Sequence, residues 1–391
     1  MKIPSLLGIW LVVVPAALAQ SWVQTTAPSN YWWSALAASL DGSRLVAAAY
    51  YSGENFEPGV ICTSTNGGAT WAQTSAPSNI WNAVAASTNG VKLVAGVQGG
   101  GLYLSSDSGV SWAPATNAPV AAWAALASSG DGSRLLGVSD GADGAIYTSA
   151  DSGVTWVSNN VSSGEYWYAA ASSADGTNLV LASNSNTNGG PGAIFTSTNA
   201  GATWQTSNVP RQEWTGVASS ADGRKLVACA PGSVVYTSTN GGTTWVRNFQ
   251  PFGFFTAAAA SADGSKLLLT ANSGQLYTST DSGANWRSNA APVLGWQVAT
   301  ASRDGNVLLA GIVDGGIYIL QSPPTLRLVP SGNQLIVSWP WPSAGFNLQQ
   351  SPDLAPTNWL PWPSPPVVTN WQNQITLAPT NGVELFRLKY P

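Results

Sequence analysis

The stretch Ser105-Ser-Asp-Ser-Gly-Val-Ser-Trp112 is one of six copies of the motif Ser-x-[Asp/Asn]-x-Gly-x-x-Trp in this chain of 391 residues. We call it the turn motif. Its closing tryptophans lie 41 to 48 residues apart, at Trp71, Trp112, Trp156, Trp204, Trp245 and Trp286. A repeat of about 40 to 50 residues is typical of β-propellers, in which four-stranded sheets surround a central channel. The spacing therefore predicts an all-β repeat fold.

A second motif recurs seven times in step with the first: an aromatic residue, then an Asp-Gly or Asn-Gly pair eight residues later. The aromatic positions are Trp33, Trp81, Trp123, Trp167, Trp214, Phe255 and Trp296. A glycine after Asp or Asn favours a tight hairpin turn, so each pair is expected to follow an innermost strand. We predict that these aromatic residues pack as core between sheets. A ligand-stacking ring around the channel is the alternative.

The second motif occurs seven times and the turn motif six times, and the two ends of the repeat region explain this difference. The segment Trp22–Trp32 closely matches Trp71–Trp81, which follows a turn motif, whereas the last repeat lacks a turn motif of its own. The N-terminal strand is therefore expected to complete the last sheet and remove an open edge. This predicts a seven-bladed β-propeller over residues 20–322.

The two ends of the chain differ from the repeats. Residues 1–19 carry Lys2, an apolar stretch and Ala17-Leu-Ala19, a pattern typical of a cleaved signal peptide. The protein is therefore expected to be exported to the periplasm, cell surface or extracellular space, with no later run long enough to span a membrane. Residues 323–391 lack the repeat, and their short alternating segments predict a small C-terminal β-sandwich.

Composition excludes several classes of function. Charged residues make up 8% of the chain and the net charge is −4, which argues against a nucleic-acid partner because nucleic acid requires a basic patch. The chain has no histidine, so Ser-His-Asp triads and histidine metal sites are excluded. We predict no metal and no cofactor. Cys62 and Cys229 are expected to be two separate buried thiols.

The turn motif resembles the Asp-box, or bacterial neuraminidase repeat, of the sialidase-like superfamily. The whole repeat looks like exported bacterial proteins related to the propellers that act as photosystem II assembly factors. The resemblance implies a folding role, not a catalytic one, for Asn66, Asp107, Asp151, Asn199, Asn240 and Asp281. The chain does not resemble a true sialidase, because Arg44, Arg134 and Arg224 directly follow the Asp-Gly turns and the sialidase arginine signature is missing.

Connections in an up-and-down sheet alternate between two faces, so the Asp-Gly turns and turn motifs share one face. The remaining connections form the other, which we call the loop face. Its loops vary in length, as binding loops on a rigid scaffold do. The irregular residues predicted to contact a partner are Trp32, Tyr166, Arg211, Phe252 and Phe254.

The only candidates for catalysis are a few acidic residues of the loop face. A glycosidase needs two carboxylates about 5 to 9.5 Å apart, and Glu165 and Glu213 are the best pair on the loop face. The alternative pairs are Glu54 with Glu57 and Asp140 with Asp143.

The sequence therefore favours a non-catalytic propeller that binds a protein or a glycan through its loop face. A glycoside hydrolase and a structural component of the cell envelope are the alternative hypotheses.

Overall fold

The structure is a computed structural model. It describes residues 22–53, 55–140, 144–159, 164–248, 253–289, 291–321, 326–331, 334–340, 347–351, 358–369, 372–377 and 385–389. Within these ranges all regular secondary structure is β-strand. None of the described residues forms a helix that is long and apolar enough to cross a membrane.

Seven antiparallel sheets account for the described strands up to residue 321. The first strand, β1 (Val23–Gln24), belongs to the last of them. Sheet 1 contains β2 (Tyr31–Ala38), β3 (Leu45–Ser52), β4 (Glu57–Pro58), β5 (Ile61–Ser64) and β6 (Ala72–Gln73). Sheet 2 contains β7 (Trp81–Ala86), β8 (Leu93–Val97), β9 (Leu102–Ser105) and β10 (Ala113–Pro114). Sheet 3 contains β11 (Trp123–Ser128), β12 (Leu135–Ser139), β13 (Ile146–Ser149) and β14 (Val157–Ser158).

Four further sheets follow in the same pattern. Sheet 4 contains β15 (Glu165–Ser172), β16 (Leu179–Asn186), β17 (Ile194–Ser197) and β18 (Gln205–Thr206). Sheet 5 contains β19 (Gly216–Ser219), β20 (Leu226–Ala230), β21 (Val234–Ser238) and β22 (Val246–Asn248). Sheet 6 contains β23 (Phe255–Ala260), β24 (Leu267–Ala271), β25 (Leu276–Ser279) and β26 (Arg287–Ser288). Sheet 7 contains β27 (Trp296–Ala301), β28 (Val307–Ile312), β29 (Ile317–Gln321) and β1.

The sheets have a propeller-like arrangement. Each sheet has an inner strand, and the inner strands β2, β7, β11, β15, β19, β23 and β27 pack in this order, with β27 also packing on β2. They are rich in alanine, glycine and serine, because little room is left where sheets converge. The repeat's aromatic residue, at or near the start of each inner strand, is at most 1% exposed. This confirms the prediction that the seven aromatic residues are core.

A belt of backbone hydrogen bonds joins the inner ends of all seven sheets. In the first six sheets, the amide of the residue before the Asp-Gly or Asn-Gly pair donates to the carbonyl of its counterpart in the next sheet, at 2.6 to 2.7 Å: Leu40 to Thr88, Thr88 to Gly130, Gly130 to Ala174, Ala174 to Ala221, Ala221 to Ala262 and Ala262 to Arg303. The amide of Asp304 then donates to the carbonyl of Leu40 at 2.9 Å. The belt is therefore closed from sheet 7 back to sheet 1.

The N-terminal strand completes sheet 7. In this strand Val23 pairs with Ile319, and the amide of Thr25 donates to the carbonyl of Ile317 at 2.8 Å. Trp22 is 5% exposed, and its ring centroid lies 6.3 Å from that of Trp296. The pairing is the one that the match between segments 22–32 and 71–81 predicted.

The turn motifs are held by their own side chains. In each copy the Asp or Asn Oδ1 accepts a hydrogen bond from the motif's serine and another from the amide four residues after itself, at 2.8 to 3.0 Å. The other terminal atom of the Asp or Asn side chain explains why the two residues interchange. Asp151 Oδ2 accepts a hydrogen bond from the Thr155 hydroxyl, whereas Asn199 Nδ2 donates one to the Thr203 hydroxyl. A hydroxyl serves as donor or acceptor, so both residues stabilise the same turn.

The described residues after 325 belong to a second compact unit. It has a sheet of β30 (Arg327–Ser331), β31 (Gln334–Pro340), β35 (Gln372–Leu377) and β34 (Val367–Thr369), and another of β33 (Leu360–Pro361), β32 (Asn347–Ser351) and β36 (Leu385–Lys389). Both sheets contribute to one hydrophobic cluster, which includes Val337, Trp339, Leu348 and Phe386.

The two cysteines are both free and both buried, Cys62 in sheet 1 and Cys229 in sheet 5. Burial raises the pKa of Cys62 to about 11 and that of Cys229 to about 12. Both thiols are therefore protonated at neutral pH and behave as small apolar core residues. This confirms the prediction of two separate buried thiols.

Candidate functional site

One position in the inner strands departs from regular pairing. In six sheets the register shifts directly after the buried aromatic residue, for example between Trp81 and Ala83. Such a bulge re-aims the side chain at that position. The residues at this position, with Thr215 as the counterpart in sheet 5, are Ser34, Asn82, Ala124, Tyr168, Thr215, Thr256 and Gln297. We call them the bulge residues.

All seven bulge residues line a single cavity of about 450 Å³, which we call the mouth cavity. Because every sheet contributes to it, it lies where the central channel opens on the loop face. Its other lining residues include Trp32, Tyr50, Asp140 and Val313. The loops of this face are braced against neighbouring sheets by isolated bridges, such as Gly59 with Asn79 and Gly192 with Gln212. These bridges link loops around the cavity to the neighbouring sheets.

Four of the bulge residues hold adjacent sheets together. Each side chain donates a hydrogen bond of 2.7 to 2.8 Å to the carbonyl of the next sheet's aromatic residue: Ser34 to Trp81, Asn82 to Trp123, Thr215 to Phe255 and Thr256 to Trp296. These polar groups have a structural task. Tyr168 differs from them, because it is large, aromatic and 49% exposed.

An aromatic cluster borders the mouth cavity on the side of sheet 1. The ring centroids of Trp32 lie 5.8 Å from Tyr51 and 5.3 Å from Phe56, and those of Tyr50 and Tyr51 are 4.7 Å apart. Phe56 is 55% exposed and has a φ of 55°. A bulky residue in the left-handed region is uncommon and marks a tight turn at this point of the loop. The short strand β4, which pairs with β3, holds this loop.

Tyr168 and Asp140 line the mouth cavity from sheets 4 and 3. Burial of the phenol and, as a smaller cause, the negative charge of Asp140 raise the pKa of Tyr168, although half of the residue's surface is exposed. The phenol is therefore protonated at neutral pH and can donate a hydrogen bond. Asp140 is exposed, and no hydrogen bond or ion pair of its carboxylate occurs within the described part of the chain.

Glu165 lies in a buried network outside the mouth cavity. It is 1% exposed, and its Oε1 accepts a hydrogen bond from Arg211 Nη1 at 2.9 Å. Its Oε2 accepts from the Ser183 hydroxyl at 2.6 Å, and the same hydroxyl accepts from the amide of Ala193 at 2.7 Å. Arg211 also donates to the carbonyl of Pro191 at 3.1 Å. The network ties the loop between β16 and β17 to the loop before β19.

This geometry gives Glu165 a structural role. Glu213 is exposed, and neither glutamate lines the mouth cavity. A retaining or inverting glycosidase needs both carboxylates to face one bound glycoside. In this arrangement both oxygens of Glu165 are already engaged within the protein. Catalysis by this pair remains a prediction that only a turnover measurement tests.

The other predicted loop-face residues are separated by the structure. Trp32 lines the mouth cavity, Tyr166 is half-buried in β15 opposite Ser185, and Phe254 is 64% exposed before β23. Glu57 is exposed in β4. The predicted contact residue Phe252, and the alternative acidic residues Glu54 and Asp143, lie outside the described residues.

Among the aromatic residues of the cavity, Tyr50 and Tyr168 are not predicted from the sequence, and Asp140 is predicted only as a catalytic alternative. The sequence does contain a sign of the bulge position. The residue before it is a tryptophan or phenylalanine in all seven repeats, whereas the bulge residue itself varies among Ser, Asn, Ala, Tyr, Thr and Gln. Variation at one position of a regular repeat indicates that the repeat itself does not require a particular side chain there.

The mouth cavity has the features of a binding site. Asp140 is the one carboxylate among its described lining residues, so these residues do not supply the acid and base pair of a glycosidase. No group of three or more Cys, Asp or Glu residues suited to a metal ion occurs among the described residues. Aromatic side chains around a concave site are typical both of ligand pockets and of protein-recognition sites.

Comparison with known proteins establishes the fold. No protein-family model and no curated protein sequence matches this chain. Among solved structures it is similar to U3-55K, with a TM-score of 0.61, 13% identity and coverage of 76% of this chain and 98% of that one. It is also similar to YCF48 bound to D1 peptide, with a TM-score of 0.57, 15% identity and coverage of 77% and 96%.

A third similar structure is the GH74 xyloglucanase from Xanthomonas campestris, with a TM-score of 0.54, 19% identity and coverage of 79% of this chain and 51% of the enzyme. The predicted likeness to a photosystem II assembly-factor propeller is thus confirmed in the fold. Sequence identities this low support a shared fold and nothing more.

Proposed function

We propose that this chain is an exported, non-catalytic binding protein. In this proposal a seven-bladed β-propeller of the Asp-box type, with a C-terminal β-sandwich in residues 323–391, holds a segment of a partner protein in its mouth cavity. The observation that carries the proposal is the cavity of about 450 Å³ lined by Trp32, Tyr50 and Tyr168, with Asp140 as the one carboxylate among its described lining residues. Aromatic residues in a concave, rigid site are the usual anchors of protein recognition.

Two further observations support a polypeptide ligand. The aromatic cluster continues from the cavity on to the exposed ring of Phe56, so the aromatic surface available to a partner segment extends beyond the cavity. The similar propeller YCF48 has been solved bound to D1 peptide, and this supports a peptide as the ligand proposed for this chain. Export rests on the signal-peptide pattern of residues 1–19, and a mature protein that begins at Gln20 would support it.

A displayed random-peptide library tests the proposal. The purified protein is used to select binders, and their affinities are measured by calorimetry against the wild type and the variants Trp32→Ala and Tyr168→Ala. Each variant is expected to weaken binding at least tenfold, since anchor residues contribute about 2 kcal/mol or more. Val120→Ala is the matched control, because Val120 is 77% exposed on the same face and does not line the cavity.

Other outcomes separate the alternatives. Failure to select any peptide, together with binding on a glycan array that Trp32→Ala abolishes, would replace the protein ligand by a glycan. Turnover of a chromogenic glycoside that is lost in a Glu165→Gln, Glu213→Gln double variant would make the protein a hydrolase. Thermal melting of each variant shows whether a loss of binding merely follows a loss of fold.

A further inference from the structure

The loop face of the propeller carries an unbalanced negative charge. Its described carboxylates are Glu57, Asp140, Glu165, Glu213 and Asp314. Arg211 is the basic residue of its described loops, and it is already paired with Glu165 in the one ion pair found among described residues. The opposite face differs, because there the turn carboxylates accept hydrogen bonds from their own turns and Arg44, Lys92, Arg134, Lys225 and Lys266 lie beside them.

Within the mouth cavity this charge has a defined place. Asp140 shares the lining with the rings of Trp32, Tyr50 and Tyr168, and neither lysine nor arginine occurs among the described lining residues. Aromatic faces attract cations, and an aromatic wall with one carboxylate is a suitable receptor for an ammonium or guanidinium group. A cation also offsets the unfavourable free energy of a carboxylate that loses water when the cavity is filled.

We propose that the mouth cavity receives a lysine or arginine side chain of the bound partner segment, with Asp140 as its counter-charge and the three rings as its walls. The proposal rests on the proposed function and specifies the ligand: a basic polypeptide segment, with its apolar neighbours placed on the cluster of Trp32, Tyr51 and Phe56. Charge complementarity of the whole loop face speeds the encounter with such a partner.

Removing the positive charge from the peptide, or the negative charge of Asp140 from the protein, tests this inference. For a selected peptide, the critical lysine is replaced by norleucine or the critical arginine by citrulline, and Asp140 is replaced by asparagine in the protein. Either change is expected to weaken binding about tenfold or more, the range of a charge-assisted contact. The two changes together are expected to cost little more than one, because both remove the same interaction.

The control is Glu213→Gln, which removes a carboxylate that is exposed on the same face but does not line the cavity. It is expected to change the affinity less than twofold. The inference is overturned if selected peptides show no enrichment in Lys or Arg, or if Asp140→Asn binds a basic peptide as well as the wild type does. If such peptides still lose affinity with Trp32→Ala, the proposed function stands without the charge preference. If no peptide binds, both fail.

Discussion

Replacing Trp22 by alanine tests whether the N-terminal strand holds the ring of sheets closed. Trp22 is 5% exposed and packs in one cluster with Leu268, Leu276 and Trp296. Its indole nitrogen is buried with no hydrogen-bond partner among the described residues, so within this part of the chain the substitution removes packing and no hydrogen bond. Truncating a buried tryptophan to alanine costs about 3 to 5 kcal/mol of unfolding free energy.

Guanidinium unfolding, followed by tryptophan fluorescence and circular dichroism, measures this loss. Trp71→Ala is the matched comparison, because Trp71 is the sequence counterpart of Trp22 within the chain and is only half-buried. Its loss is expected to be smaller. Deleting residues through Gln24 is expected to cost more and to promote association, since β29 would become an open edge. If Trp22→Ala changes the unfolding free energy by less than about 1 kcal/mol, the N-terminal strand does not close the ring.

Three further predictions concern stability. Gly192→Ala is expected to prevent stable folding, because an added Cβ would lie 1.9 Å from the carbonyl oxygen of Ser183. Gly101→Ala is the control and is expected to melt like the wild type, because its added Cβ would meet no atom within 4 Å. Thermal melting of both variants tests this difference. The pKa of Asp131, Asp175 and Asp263 is lowered to about 2 by hydrogen bonds from Ser129, Ser173 and Ser261 and from the turn amides. The stabilisation from these three carboxylates is complete above the unfolded pKa of about 3.9 and is lost as pH falls toward about 2. A variant with all three aspartates replaced by asparagine is therefore expected to lose less melting temperature than the wild type between about pH 4 and about pH 2. An equally steep decline in the variant would contradict this. Arg211→Ala is expected to cost about 1 to 2 kcal/mol, less than for a fully buried pair because Arg211 is 45% exposed; chemical denaturation would show it, and an unchanged midpoint would refute a structural role for the pair.

The repeat architecture was predictable because it depends on local, repeated signals. The buried aromatic residue, the Asp-Gly turn and the turn motif each recur at fixed spacing, and each forms its contacts within its own sheet or with the next one. The pairing of Val23 with Ile319 joins residues far apart in the chain. It was still visible in the sequence, because segment 22–32 repeats segment 71–81.

The site was less predictable because it depends on departures from the repeat. A regular strand would place Tyr168 and Trp167 on opposite faces of the sheet, and the sequence does not show the bulge that turns Tyr168 toward the mouth cavity. Glu165 looked like a free loop carboxylate because its partners, Ser183 and Arg211, lie 18 and 46 residues away. Their convergence is set by the packing of sheets 4 and 5.

Hydrogen exchange of the complex with a selected peptide tests most directly whether the mouth cavity is the binding site. The expected result is slower exchange in the segment from Tyr31 to Ser34, in the loop from Tyr50 to Phe56 and around Tyr168, with the Asp-Gly turns of the opposite face unchanged. Protection confined to those turns, or to the second compact unit, would show that the partner binds elsewhere and would contradict the proposed function.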